Sequence, residues 1–348
     1  MGILIAILIF CAIVIFHEFG HFLVAKKNDV QVNEFMIGFG PKLLGVKRGE
    51  TLFSLRLIPL GGACVMADEE EDAPENPRAF RKKSAWRRFL IVAAGPLFNF
   101  LLAFVLAVIM TALIGVDKPV VTGTTEGLPA EAAGLEAGDQ IVKLNLKPIH
   151  FSRELRLYMK THGNEEMRVT YQRNGERYET TLTPVYDAEY DTYLLGITYN
   201  PYSEKVGPLE VIQYGWYEVE YCIWSVFEGL RLLFTGGATM NDLSGPVGIV
   251  KAIGDTYTES NAAGGAFLVL INMLNIAVLL SANLGVMNLL PIPGLDGGRL
   301  IFTTVEMVTR KQLPAEKEGL INIIGFGLLF GLMIFVVFND VRKLMIGL

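Results

Sequence analysis

"IFHEFGHFLVAKK", Ile15–Lys27, follows fourteen residues whose side chains carry no charge. Ionisable groups within a lipid-compatible segment cost several kcal/mol each, so they persist there only where they bind or catalyse something. On a helix His17 and His21 project from one face, one turn apart, and Glu18 stands about 100° round from His17. This is the H-E-x-x-H pattern, in which two imidazoles hold zinc and a neighbouring carboxylate acts as base. The competing reading is a pair of helix histidines satisfied by hydrogen bonds.

The rest of the composition fits a membrane. Of 348 residues 51% are hydrophobic and only 19% charged, and the mean hydropathy is +0.40; a soluble domain of this size carries more charge. Four segments are long and apolar enough to span: Ile3–Ala25, Phe89–Val116, Phe267–Leu290 and Ile321–Phe338. The first lacks a basic leader and a small-residue cleavage site, so it reads as a retained span. Twelve Lys and Arg lie between Lys26 and Arg88, which predicts a cytoplasmic loop there. The amino terminus and residues from Asp117 to about Ala266 then lie outside, and Arg299–Lys317 is a second cytoplasmic loop. HEFGH falls toward the cytoplasmic end of its helix. The acidic run Asp68–Glu75 reads as a solvated loop, nothing suggests nucleic acid, and Cys11, Cys64 and Cys222 are too scattered to pair.

Catalytic zinc usually takes three protein ligands and a water. His150 and His162 fall on the wrong side of the membrane and read as surface residues. The best third candidate is Asp296 in "SANLGVMNLLPIPGLDGGRL" (Ser281–Leu300), at the cytoplasmic end of the third span. Pro291 and Pro293 break the helix there, and Gly294, Gly297 and Gly298 permit turns that aim a carboxylate. Read alone, Asp296 is a helix cap; beside HEFGH it is a ligand.

"HEFGH", "NLLPIPGLDGG" (Asn288–Gly298), "GFGP" (Gly38–Pro41), "AGPLFNF" (Ala94–Phe100) and "LSGPVGI" (Leu243–Ile249) together resemble the bacterial site-2 proteases, intramembrane zinc metalloproteases of peptidase family M50. The resemblance implies that His17, His21 and Asp296 hold Zn2+ and that Glu18 is the catalytic base. It implies that Asn283 and Asn288 hold the substrate backbone, whereas the residues alone allow helix–helix contacts equally well. The implied substrates are transmembrane proteins already trimmed by another protease, such as anti-sigma factors or signal-peptide remnants, cut in regulated intramembrane proteolysis in a bacterial plasma membrane.

The expected fold is therefore a membrane α-helical protein: four transmembrane helices, a membrane-associated β-hairpin or sheet on the cytoplasmic side, and an inserted extracytoplasmic PDZ domain. Residues 1–116 form the first half of the core, with the hairpin at Gly49–Asp68; residues 267–348 form the second. The hairpin either covers the active site or pairs with an unwound substrate strand. Residues 117–201 hold the PDZ-like run "LPAEAAGLEAGDQI" (Leu128–Ile141) and strands near Met167–Gln172, Tyr178–Pro184 and Leu194–Tyr199. Such a domain captures chain ends or filters by size. Residues 202–266 hold a linker and, over Tyr221–Gly254, an interfacial amphipathic helix, a gate or simple packing. Two rivals remain, a non-catalytic zinc-binding scaffold that presents the PDZ domain and a metal transporter. Glu18 argues against both, since neither needs a general base.

Overall fold

The computed structural model describes residues 2–67, 76–189, 192–199, 204–239 and 244–346; the acidic run at 68–75 lies outside them. Two compact units emerge, one of residues 1–106 with 240–348 and the other of residues 107–239. In the first, α1 (Gly2–Lys27) leads into a long ribbon, β1 (Val32–Arg48) and β2 (Thr51–Met66), and α2 (Ala85–Ile114) follows. The ribbon folds back on itself: residues 34–37 are in register with 52–55 on one flank and with 62–65 on the other, while 42–48 pair with 51–56. The expected hairpin at 49–68 is thus only part of the sheet. Phe22 of α1 meets Phe35 and Phe53 edge-on at 5.5 and 5.7 Å, which ties the end of α1 to the sheet.

The second unit contains β3 (Val121–Thr124), the short α3 (Pro129–Ala132), β4 (Gln140–Leu144), β5 (Lys147–Pro148), α4 (Ser152–His162), β6 (Met167–Arg173), β7 (Glu176–Leu182), β8 (Val185–Asp187), β9 (Thr192–Leu194) and β10 (Ile197–Tyr199). Its sheets are ordered β5-β4-β6-β7, β10-β3 and β8-β9. The core gathers Val121, Ile141, Leu144, Leu155, Met159, Met167 and Val169. The expected strands fall within two residues of β6 and β7, and the last is divided between β9 and β10. The half-buried His150 stacks on Tyr217 at 3.6 Å.

α5 (Pro208–Thr235) closes this unit. It inverts the usual pattern. Glu218, Val219, Cys222 and Glu228 are buried, while Leu209, Ile212, Trp216, Phe227 and Phe234 are exposed. Glu218 pairs with Arg153, and Glu228 accepts a hydrogen bond from Trp224. Burial pushes the Glu218 carboxyl up, against the pull of Arg153. The single helix expected over Tyr221–Gly254 is interrupted: α5 stops at Gly236, which adopts φ 78°, and a new helix starts at Pro246.

That helix, α6 (Pro246–Leu289), carries the third apolar segment and bends at Gly265, where φ is 63°. The expected cytoplasmic loop after Arg299 is instead helical, α7 (Asp296–Thr309), and α8 (Ala315–Ile346) follows. The DGG triplet reads as a turn but forms the first turn of α7. α1, α2, α6 and α8 are each long and apolar enough to cross a membrane. Leu328 and Phe338 of α8 are 73% and 68% exposed, a surface that favours lipid over water.

Candidate metal centre

His17 and His21 sit on the inward face of α1, and Asp296 opens α7 after the proline-broken end of α6. The Nε2 atoms of His17 and His21 lie 3.2 Å apart, and Asp296 Oδ2 is 3.1 Å from the first and 3.4 Å from the second. Ligands about 2.0–2.1 Å from a tetrahedral zinc stand roughly 3.3 Å from one another, so the three atoms outline one face of such a site. Among the described residues these are the group able to hold a metal.

The polar groups suit a cation there. His21 Nδ1–H donates to the Ile91 carbonyl at 2.9 Å, and a carbonyl only accepts, so neutral His21 turns a bare Nε2 toward its neighbours. Asp296 Oδ2 is buried, and the polar atoms facing it are the two imidazole Nε2 atoms. A carboxylate oxygen and two imidazole nitrogens converging on one point make a donor set that a cation satisfies when both histidines offer Nε2 as a lone pair. The residues present therefore fit zinc.

Glu18 faces the same cavity, about 300 Å³ in volume, which is also lined by Ala63, Cys64, Arg299, Asn322 and Phe326. Its Oε2 accepts from the Cys64 N–H at 2.9 Å, which holds the carboxylate in the cavity but outside the group of three atoms able to hold a metal. Asn283 and Asn288 do not line this cavity; both are half-buried on α6, and Asn283 Oδ1 is buried with no partner among the described residues.

α2 contributes what the sequence pattern did not assign. A Cβ on Gly95 would lie 2.3 Å from His21 Nε2 and 2.8 Å from His17 Cε1, so only glycine lets the helix approach both rings. Gly20 makes the matching approach on α1, where a Cβ would lie 2.4 Å from the Ala94 carbonyl oxygen. Pro96 lacks the N–H that would close on the carbonyl of Val92, the residue after the one whose carbonyl His21 uses. The signal was the "AGPLFNF" motif, legible only as part of a resemblance.

Residues 5–332 match Peptidase family M50. A Clostridium acetobutylicum protein provisionally named a zinc metalloprotease is 41% identical over 98% of this chain and 97% of its own length. The zinc metalloprotease RasP of Geobacillus kaustophilus is 31% identical over 97% of each chain. The regulator of sigma-W protease RasP of Bacillus subtilis is 30% identical over 97% of this chain and 98% of its own. The chain belongs to peptidase family M50. It is a zinc metalloprotease and a multi-pass membrane protein, which removes the scaffold and transporter readings.

Proposed function

We propose that this enzyme is an endopeptidase that cuts peptide bonds in or near transmembrane segments of proteins already trimmed by another protease. His17, His21 and Asp296 hold its zinc and Glu18 is its base. The observation that carries the proposal is the triangle of two Nε2 atoms and Oδ2, 3.1–3.4 Å on a side, with Glu18 in the same cavity and both histidines on a helix fit for lipid.

Zinc, when bound, polarises the scissile carbonyl and makes water acidic enough to attack near neutral pH. Glu18 takes the proton of the attacking water and returns it to the leaving amine. A helical peptide must unwind first. Residues 62–65 pair with 34–37 on one flank, while the Cys64 N–H on this run reaches Glu18. A substrate strand added along that run would lay its backbone against the base. Asn283 and Asn288 hold that backbone further along α6, a role that suits the orphaned Asn283 Oδ1.

Residues 117–201 act as an extracytoplasmic PDZ domain that selects substrates. Supporting this is a groove of about 670 Å³ between α4 and residues 192–199, with Leu155, Met159, Leu195 and Ile197 along it and Arg156 and Lys160 at its rim. An apolar channel beside cations suits an extended chain end with its carboxylate. The apolar outer stripe of α5 suits a helix lying on a membrane surface.

The test is reconstitution with a fluorescent transmembrane peptide. Glu18→Gln should keep about one zinc per chain and lose hydrolysis by several orders of magnitude. Near-native turnover in that variant would end the proposal.

A further inference from the structure

Three α2 residues spaced four apart, Ile91, Gly95 and Asn99, face the histidines. Ile91 fixes the tautomer of His21 through its carbonyl, and Gly95 leaves room for both rings. Asn99 stands against the other ring. It is fully buried, its Nδ2 lies 3.2 Å from His17 Nδ1, and its Oδ1 is buried without a partner among the described residues. Its backbone carbonyl accepts from Ser281 Oγ–H of α6 at 2.8 Å, which anchors this turn of α2.

His17 Nε2 points at Asp296 and His21, so a ring that offers that nitrogen to a cation carries its proton on Nδ1. An Nδ1–H needs an acceptor. The amide as oriented presents an N–H2 group to it, donor against donor; a half-turn about χ2 presents Oδ1 instead, in nearly the same volume. In the metal-free state the opposite arrangement is satisfied, with His17 Nε2–H facing the Asp296 carboxylate and Nδ1 accepting from Asn99 Nδ2. An amide serves either state, which a carbonyl does not.

We propose that Asn99 is the positioning residue for His17. It turns its oxygen to His17 Nδ1–H when zinc is bound, and so fixes the ring and tautomer that present Nε2. The proposal rests on His17 being a zinc ligand. The amide bonds the imidazole and takes no part in the proton transfers of Glu18.

The experiment measures zinc affinity of the full chain in detergent by competition with a chelator, for the native protein and for Asn99→Leu, Asn99→Asp and His17→Ala. Asn99→Leu keeps the volume and removes the acceptor; its affinity should fall about 10- to 100-fold, the usual cost of losing a partner behind a ligand. Asn99→Asp keeps an acceptor at the same reach and should bind within about threefold of native or tighter. Native affinity in Asn99→Leu would overturn the proposal, as would equal weakening in folded Asn99→Leu and Asn99→Asp. Unchanged affinity in His17→Ala would instead overturn the ligand assignment beneath it. Because a buried substitution can unfold the core, the native zinc-loaded protein with 15N-labelled histidine gives a second readout by NMR. His17 should carry its proton on Nδ1 in a hydrogen bond, and a proton on Nε2 would contradict the proposal.

Discussion

The cavity with the chemistry is less than half the size of the groove without it. The metal cavity, about 300 Å³, holds two imidazoles, two carboxylates and the Arg299 side chain. The groove beside α4, about 670 Å³, is lined mainly by aliphatic groups, two rim cations and backbone. On the proposed reading, the larger space holds a chain and the converging nitrogen and oxygen atoms mark where a bond is broken. The two units are stabilised differently as well. The β-rich unit buries its own hydrophobic cluster, whereas α8 leaves most of its apolar surface outward and depends on lipid for stability.

The sharpest way to break this contrast is Asp296→Asn. It preserves shape and removes the anionic ligand, so zinc content and cleavage should fall together, the latter by orders of magnitude. Native zinc affinity would place the third ligand elsewhere. Next in size is replacement of residues 118–200 by a short Gly/Ser linker. In a zinc-loaded variant, cleavage of a substrate with a minimal ectodomain should persist, and the ratio of products from intact and pre-trimmed substrates should change several-fold. An unchanged ratio would deny the groove any selective role. A finer cut is the double charge reversal Arg156→Glu with Lys160→Glu. It should slow trimmed substrates roughly 2- to 10-fold at low concentration if chain ends bind there, and leave rates unchanged if the module only excludes bulk.

The smallest effect concerns the stability of the β-rich unit. Burial alone would raise the Asp139 carboxyl, but Arg173, whose Nε lies 2.6 Å from Oδ1, and the Glu136 N–H hold it below the ordinary carboxylate range. A depressed folded value contributes stability above the unfolded pKa near 3.9 that is lost as pH falls through the folded one. Arg173→Gln should therefore lower the Tm of this unit at pH 7, on the order of 5 °C, and move its acid transition upward, both read by tyrosine fluorescence.

That His17, Glu18, His21 and Asp296 share one cavity was partly legible, because an apolar segment has few innocent uses for the first three and Asp296 stood out at the proline-broken end of a later apolar segment. Four spans were legible from composition, although α8 extends beyond both ends of the expected eighteen residues. β1 was missed, since Gly38, Gly40 and Pro41 interrupt its alternation and its pairing depends on distant residues. α7 was hidden by a glycine pair that usually signals a turn. Gly95 and Asn99 had no chemical signature of their own, because their meaning lies in what α1 brings against them. The inverted face of α5 was half legible: Glu228 and Arg231 marked it as amphipathic, but not that Glu218 and Glu228 turn inward.

The most direct test of the zinc site is X-ray absorption at the zinc edge on the zinc-loaded Glu18→Gln protein, whose turnover is expected to be lost. Two imidazole nitrogens and two oxygens, one from Asp296 and one from water, all at about 2.0–2.2 Å, are the expected shell. Sulfur scattering near about 2.3 Å would implicate Cys64 beside the cavity and contradict the assignment, as would an unchanged spectrum after His17→Ala.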